Sequence, residues 1–251
     1  TNLVDKSGYE SLNKQNVYFI DEAHRSYNDK GSYLPNLYNA DKNAIKIALT
    51  GTPLINTGNH NKKHKTTREI FGDYLNKYYY DQSIQDGFTL RLMREEVRTE
   101  YKKKFRDIVD NLQEEVKKGT LKKKDILAHP NYCSPLLDYI LKDFKESKEI
   151  HGDDTIGGMI IADSSDQARE LYKLFQEKSK SRETKFTASL ILSDEDDKET
   201  RNNEVKSFTD GKTDFLIVYN MLLTGFNAPR LKKLYLGRVI KAHNLLQALT
   251  R

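Results

Sequence analysis

This 251-residue sequence has a single cysteine, no long apolar run and no phosphate-binding glycine loop. Its single cysteine, Cys133, excludes a disulfide within the chain and suits a reducing compartment, so we expect a cytoplasmic protein. No base neighbours Cys133 in sequence, which favours a structural thiol over a nucleophile. No apolar run is long enough to span a bilayer. The pattern G-x-x-x-x-G-K-S/T is also absent, so the sequence holds no P-loop of its own.

The charge of the chain permits a nucleic-acid partner without identifying one. Lys and Arg number 42 against 37 Asp and Glu, a formal net charge of +5. Three local basic clusters, at 62–65, 102–104 and 122–124, are candidates to meet phosphate. Acidic neighbours such as Glu114 and Glu115 favour solvated surfaces instead, so these clusters are weak DNA candidates.

The most informative stretch is an apolar run that ends in two carboxylates. Val17–Ile20 is typical of a central strand in a covered parallel sheet, and Asp21-Glu22-Ala23-His24 follows it at once. Ligands of such sheets gather at the carboxyl ends of the strands. The pattern therefore indicates a phosphate and Mg²⁺ site at Asp21 and Glu22. The alternative is that Asp21 only caps a helix.

A second apolar run follows and ends in hydroxyl residues. Residues 44–49 predict another strand, which ends in Thr50-Gly51-Thr52-Pro53. Strands that are neighbours in sequence are commonly neighbours in a sheet, so we expect this loop beside His24. Without that context, Gly51 and Pro53 would indicate only a turn.

The carboxyl-terminal part repeats this layout. Residues 214–218 predict a strand, followed by the loop sequence NMLLTGFNAP at 220–229. A short strand at 234–236 and the sequence NLLQALTR at 244–251 complete the series.

In this order, the four sequences resemble motifs II, III, V and VI of superfamily 2 helicases and translocases. Their particular residues, together with the segment DGFTL at 86–90, resemble those of the restriction or motor subunit of type I restriction-modification enzymes. The resemblance covers nearly the whole chain, although the middle third is weakly diagnostic. It implies an α/β fold with two RecA-like parallel-sheet domains, the first incomplete, joined by a helical connector. In this family the motor uses ATP and Mg²⁺ to pump double-stranded DNA while joined to modification and specificity subunits.

The resemblance also implies roles at the nucleotide. Asp21 would hold Mg²⁺ through water, and Glu22 would orient the attacking water. Gln247 and Arg251 would reach the nucleotide from the second domain. Thr250 stands where the superfamily often has Gly, and the chain stops at the first arginine of the motif.

Other matched residues would link hydrolysis to DNA movement. His24 with Thr50, Gly51 and Thr52 would couple the two events. Thr224 and Gly225 would serve the DNA or the cleft between the domains.

We expect an internal fragment, because the phosphate loop and the nuclease core of such a subunit should lie upstream. Two segments match the bare nuclease pattern, Glu146-Ser147-Lys148 and Gln176-Glu177-Lys178. Both fall in predicted helices, so neither is favoured.

The predicted division of the chain has three parts. Residues 1–95 are assigned to the later part of the first motor domain, 96–134 to the connector and 135–251 to the second motor domain. Apolar residues from Val97 to Val116 at steps of three and four predict a long helix that stops near Gly119. Asn131 to Pro135 is interpreted as a loop. Alternating strands and helices beyond residue 155 predict a doubly wound parallel sheet.

Two other functions stay open at this point. One is a different superfamily 2 motor, such as a repair or remodelling helicase, which would lack a nuclease domain. The other is a non-catalytic DNA- or partner-binding module with the motor fold, which nucleotide turnover would distinguish from an enzyme.

Overall fold

The structure, a computed structural model, describes six stretches of the chain: residues 15–23, 41–53, 66–89, 91–192, 198–219 and 228–237. It divides into two compact units, Thr1–Leu90 and Arg91–Arg251. The three-part division expected from the sequence stays a prediction. No helix of the described stretches is long and apolar enough to cross a membrane.

The elements follow one another in an alternating order typical of an α/β protein. The described strands are β1 (Val17–Ile20), β2 (Ile45–Ala48), β3 (Gly157–Ile161), β4 (Ala188–Ile191), β5 (Phe215–Val218) and β6 (Leu231–Leu236). The described helices are α1 (Thr67–Phe71), α2 (Tyr80–Gln85), α3 (Thr99–Lys117), α4 (Pro130–His151), α5 (Ser165–Lys180) and α6 (Lys198–Thr209), and a 3-10 helix spans Lys123–Ala128.

In the first unit, β1 and β2 pair in parallel, from Val17 opposite Ile45 to Ile20 opposite Ala48. The prediction that these strands are neighbours is confirmed. A small core holds them, in which Ile20 and Ala23 are buried. Because the pairing is in register, both strands end at the same edge of the sheet.

The sequence predicts that other elements cover both faces of β1, but the described residues do not cover it in this way. Phe19 is 68% exposed and Val17 48%, whereas a central strand would bury both. An apolar run shows that a strand is suited to burial but does not show which elements cover each of its faces.

The second unit contains a four-stranded, all-parallel sheet in the order β4-β5-β3-β6. Alternate residues of the central strands enter two separate cores. Ile160 and Phe215 lie in one core with side chains of α4 and α5, and Ile161 and Leu216 lie in the other with Phe208 of α6. The doubly wound parallel α/β fold predicted from the sequence is therefore confirmed.

Two glycines at the start of β3 allow this packing. A Cβ at Gly157 would lie 2.5 Å from the ring of Phe208, and one at Gly158 would lie 2.8 Å from the ring of Phe215. Both separations are far below van der Waals contact, so the aromatic rings fill the space that a side chain would take.

The interpretation of Asn131–Pro135 as a loop is wrong. These residues form the first turns of α4, which begins with Pro130 at its first position and is capped by His129. Pro135 removes one backbone donor, but the helix continues because it buries a stripe of side chains. That stripe consists of Cys133, Leu137, Ile140 and Phe144.

The predicted long helix before it is confirmed as α3. The amphipathic face packs on α4 through aromatic contacts, with ring centroids 4.8 Å apart for Tyr101 and Tyr139 and 5.7 Å for Phe105 and Tyr132. Gly119 has a φ of +76°, a conformation that glycine adopts without strain, and it ends the helix as expected.

Helix α5 ends in a motif that usually contains glycine but has arginine here. The N–H of Glu183 donates to the carbonyl of Lys178 and that of Arg182 to Ser179, the bonding pattern of a Schellman motif. Arg182 carries the left-handed conformation of this motif, with a φ of +61°. Its backbone therefore stores strain that a glycine would not.

We expect Arg182→Gly to stabilise the chain by about 0.5–1 kcal/mol, because relief of the left-handed strain exceeds the entropic cost of glycine. In a thermal melt, this corresponds to a midpoint higher by about 2–3 °C. Arg182→Ala is the matched control, since it removes the same side chain and keeps the strain. An equal gain in both variants would assign the effect to the side chain.

Candidate functional site

The predicted acidic pair lies directly beyond the end of β1. Asp21 is exposed and Glu22 is half-buried. The N–H of Glu22 donates to Oδ1 of Asp21 at 2.8 Å. Glu22 has a φ of +48°, which non-glycine residues adopt rarely and usually where the surroundings require it. The turn therefore places two successive carboxylates just beyond the end of β1, the second of them on a strained backbone.

The loop after β2 is joined to this turn through the backbone. Leu49 donates its N–H to the carbonyl of Ile20 at 2.8 Å, and its own carbonyl accepts from the N–H of Ala23 at 3.1 Å. These bonds extend the β1–β2 pairing beyond the last strand residues. The loop therefore lies beside the acidic turn, whereas its expected position beside His24 concerns a residue outside the described stretches.

Residues 50–52 form a compact turn after that junction. The N–H of Thr52 donates to the hydroxyl oxygen of Thr50 at 3.1 Å, and Thr52 is buried. Gly51 has open space where a Cβ would stand, so its place in the turn is not enforced by crowding. Thr50 and Thr52 are thus fixed to the same edge of the sheet as Asp21 and Glu22.

The acidic turn suits a hydrated magnesium ion. Oδ1 of Asp21 is engaged with the backbone, and Oδ2 accepts no hydrogen bond within the described stretches. An exposed single carboxylate of this kind fits Mg²⁺, which keeps most of its water shell and takes one or two protein oxygens beside phosphate. No cluster of three or more His, Cys, Asp or Glu that could hold a metal occurs in the part of the chain that the structure describes.

The other predicted site residues lie outside the described residues. They are His24, Thr224, Gly225, Gln247 and Arg251. Their roles stay predictions.

The lysines of the two nuclease-like patterns make structural contacts. Lys148 pairs with Asp214 at 3.1 Å and donates to the carbonyl of Asp154 at 2.9 Å. Lys178 lies 2.9 Å from Asp138 and 3.0 Å from Glu183. Both lysines therefore fasten helices within the second unit, in agreement with the low weight given to these patterns.

Cys133 is a structural thiol in the core. It is fully buried, and its Sγ donates to the carbonyl of Leu127 at 3.3 Å. Burial raises the pKa of the Cys133 thiol to about 12. The thiolate is therefore nearly absent at neutral pH, which excludes the nucleophile alternative.

Sequence reasoning missed Gln167, which shapes the carboxyl end of β3. Its side chain is fully buried, accepts from the N–H of Asp163 at 2.6 Å and donates to the carbonyl of Leu127 at 2.8 Å. Ser164 caps the same helix by accepting from the N–H of Gln167. The signal was present, since Ser-x-x-Gln is the spacing of a capping box, although here the Gln reaches one residue further back.

Two family models match the chain. A model described as SWI2/SNF2 ATPase matches residues 2–125, and one described as type I restriction enzyme subunit R domain 3 matches residues 202–251. The first match contains the acidic turn and the loop after β2, and the second contains β5 and β6. The chain is thus similar to an ATPase family and to a domain of type I restriction subunits over these residues, and its parallel sheets agree with the α/β fold that the resemblance implies.

Curated relatives specify the class further. The HindI endonuclease subunit of type I restriction in Haemophilus influenzae is 24% identical over 282 residues, which cover 98% of this chain and 26% of that protein. The SauCOLORF180P endonuclease subunit of Staphylococcus aureus strain COL is 28% identical over 271 residues, which cover 94% of this chain and 28% of that protein. The chain is therefore similar over nearly its whole length to type I restriction endonuclease subunits, the resemblance that the sequence predicts, and spans about a quarter of the length of the curated relatives it matches.

Two solved helicase structures also show likeness. Saccharomyces cerevisiae Dbp5 bound to RNA and ADP BeF3 is 14% identical with a TM-score of 0.47, covering 94% of this chain and 49% of that chain. The Pyrococcus furiosus Hef helicase domain is 13% identical with a TM-score of 0.41, covering 92% and 68%.

Proposed function

We propose that this chain is the motor section of an ATP-driven, DNA-translocating type I restriction endonuclease subunit. One observation carries the proposal. The Asp-Glu-Ala-His turn and the Thr-Gly-Thr-Pro loop leave adjacent parallel strands at one edge and share backbone hydrogen bonds. An acidic site whose backbone is bonded to a neighbouring loop suits nucleotide hydrolysis that is coupled to movement.

Within this proposal, the carboxylates of the turn divide the work at the nucleotide. Asp21 would hold Mg²⁺ through water, and Glu22 would orient the attacking water. An Mg²⁺ ion held by Asp21 would supply positive charge against the phosphates of ATP. Gln247 and Arg251 contribute from the second motor domain, where a cation stabilises charge on the transferring phosphoryl group.

The remaining motif residues couple ATP hydrolysis to movement of the DNA. His24 lies one residue after Ala23, whose N–H is bonded to the loop that carries Thr50, so a shift at the turn also moves that loop. Thr224 and Gly225 contact the DNA or line the cleft between the motor domains.

The proposed partners are double-stranded DNA and the modification and specificity subunits of a type I complex. The subunit names of the curated relatives support this assignment. The proposed location is the cytoplasm, where a single reduced cysteine is expected. Cleavage of DNA is assigned to a nuclease domain outside these 251 residues.

Translocation by the intact subunit in its complex tests the proposal. ATP-dependent displacement of a triplex-forming strand from duplex DNA reports movement along the duplex. Displacement that requires ATP is expected. Its absence in a complex that binds DNA and ATP would contradict the motor function.

The purified 251-residue chain is expected to hydrolyse no ATP, because the sequence holds no phosphate loop and two carboxylates do not bind a triphosphate. The measurement is DNA-stimulated phosphate release, with the Glu22→Gln chain prepared identically as the control. Turnover above that control would show that the site is complete without a P-loop.

A further inference from the structure

The segment Arg91–Arg98, which follows the first unit in sequence, is fastened to distant elements of the second unit. Oε2 of Glu95 lies 2.6 Å from Nζ of Lys233, a residue 138 positions later on β6. Arg98, the N-cap of α3, pairs with Glu146 on α4. The lead-in to α3 is thus tied to an edge strand and to a helix.

Lys233 is prepared for this contact by its own neighbours. Its side chain is only 15% exposed and lies 3.2 Å from Asp143, which also accepts a hydrogen bond of 2.8 Å from the Tyr235 hydroxyl. Burial alone would lower the pKa of Lys233, but the hydrogen bonds and charges of Glu95 and Asp143 outweigh burial and raise it. Because Asp143 pairs with the ammonium independently of Glu95, Lys233 is oriented before Glu95 docks, and little of its conformational freedom is lost in the contact.

Glu95, the partner of Lys233 on this segment, is exposed rather than buried. Glu95 is 61% exposed, so it exchanges readily between the ion pair and water. Exposed ion pairs are weak and are screened by salt. A contact between an oriented lysine and a mobile glutamate therefore opens and closes without unfolding either unit.

We propose that the Glu95–Lys233 and Arg98–Glu146 pairs form a latch that reversibly docks the segment Arg91–Arg98 on the second unit. When the latch is closed, the chain is held on the second unit from Glu95 onwards. When it is open, the free chain extends to the start of α3 at Thr99. The latch changes the length of the tether between the two units.

In the motor, this tether joins the two domains that must move against each other during stepping. Strand β6 begins two residues after the segment 220–229 that resembles motif V, so Lys233 connects the tether to the strand that leaves that motif. This motor role rests on the proposed function. The latch itself does not.

Two adjacent glutamates provide a matched test. Glu95 and Glu96 have similar exposure, 61% and 63%, but Glu96 pairs locally with Lys102. Glu95→Gln should therefore release the segment, and Glu96→Gln should not. Glu95→Gln with Glu146→Gln removes both halves of the latch.

Electron paramagnetic resonance of a nitroxide at Met93→Cys measures the release. Met93 is 80% exposed, whereas the buried Cys133 is unreactive, so the label enters at one position. We expect Glu95→Gln to raise the ratio of mobile to immobile signal about threefold, the change for a surface pair of ordinary strength. The double variant should raise it further. About 0.5 M salt should mobilise the parent chain and leave the double variant unchanged.

The possible outcomes test the latch itself separately from its proposed role in the motor. A ratio in Glu95→Gln no higher than in Glu96→Gln, or a parent chain as mobile as the double variant, would overturn the latch. Because no ATP or DNA is present, this result is independent of the proposed function. In the intact subunit, Glu95→Gln should raise the ATP consumed per base pair moved, relative to Glu96→Gln. Equal consumption in both would overturn the motor role of the latch alone.

Discussion

Replacing Glu22 with Gln is expected to lower ATP turnover by the intact subunit about 10²-fold or more while ATP binding survives. The amide keeps the size of the side chain and its hydrogen bonding, but it no longer has the charge that polarises the attacking water. The turn itself should persist, because its internal bond joins the N–H of residue 22 to Asp21 and does not involve the Glu22 side chain. The loss should therefore appear in kcat rather than in nucleotide affinity.

Steady-state ATPase rates and nucleotide binding should be measured side by side on the same preparations. Glu100→Gln, which removes an exposed carboxylate from α3, controls for the loss of one negative charge. Unchanged turnover in Glu22→Gln would reject the role assigned to this residue. A joint loss of turnover and ATP binding would assign Glu22 to binding instead.

Arg251→Ala is expected to lower ATP turnover by about 10³-fold, the usual contribution of an arginine supplied from a neighbouring domain. The prediction rests on the sequence QALTR at 247–251, which follows the motif V-like loop, and on the need for a cation where charge develops on the phosphoryl group. The same contact would make closure of the two domains depend on ATP, so translocation should fall together with turnover.

Arg251→Lys distinguishes geometry from charge. Lysine restores one positive charge without the planar fork that binds two phosphate oxygens, so it should recover only part of the rate. ATPase and triplex displacement are measured together for both variants. Normal rates in both would place Arg251 on a solvated helix face and remove the motif VI assignment.

The secondary structure of the second unit could be predicted closely from the sequence. Short apolar runs that alternate with amphipathic stretches beyond residue 155 indicate its strands and helices. Such signals are local, so a single sequence contains them. The start of α4 was missed because Pro135 is a local breaker, and only burial along the whole helix outweighs it.

The candidate site was predictable in its residues but not in its geometry. Asp21 and the loop at 50–52 carry signals in their order and in the strands before them. The positive φ of Glu22 has no such signal, because glycine or asparagine normally marks that conformation. The Glu95–Lys233 pair also has none, since 138 residues separate its members and each alone is an ordinary surface charge.

The hydrogen bond from the Ala23 N–H to the Leu49 carbonyl makes the link between the two loops invisible to alanine scanning. Neither side chain takes part, so truncating side chains at either position leaves the connection in place. Only removal of the amide hydrogen breaks it, by proline at position 23 or by an ester in place of that peptide bond. In a map of side-chain substitutions, this backbone connection between the two loops would therefore register as tolerant of substitution.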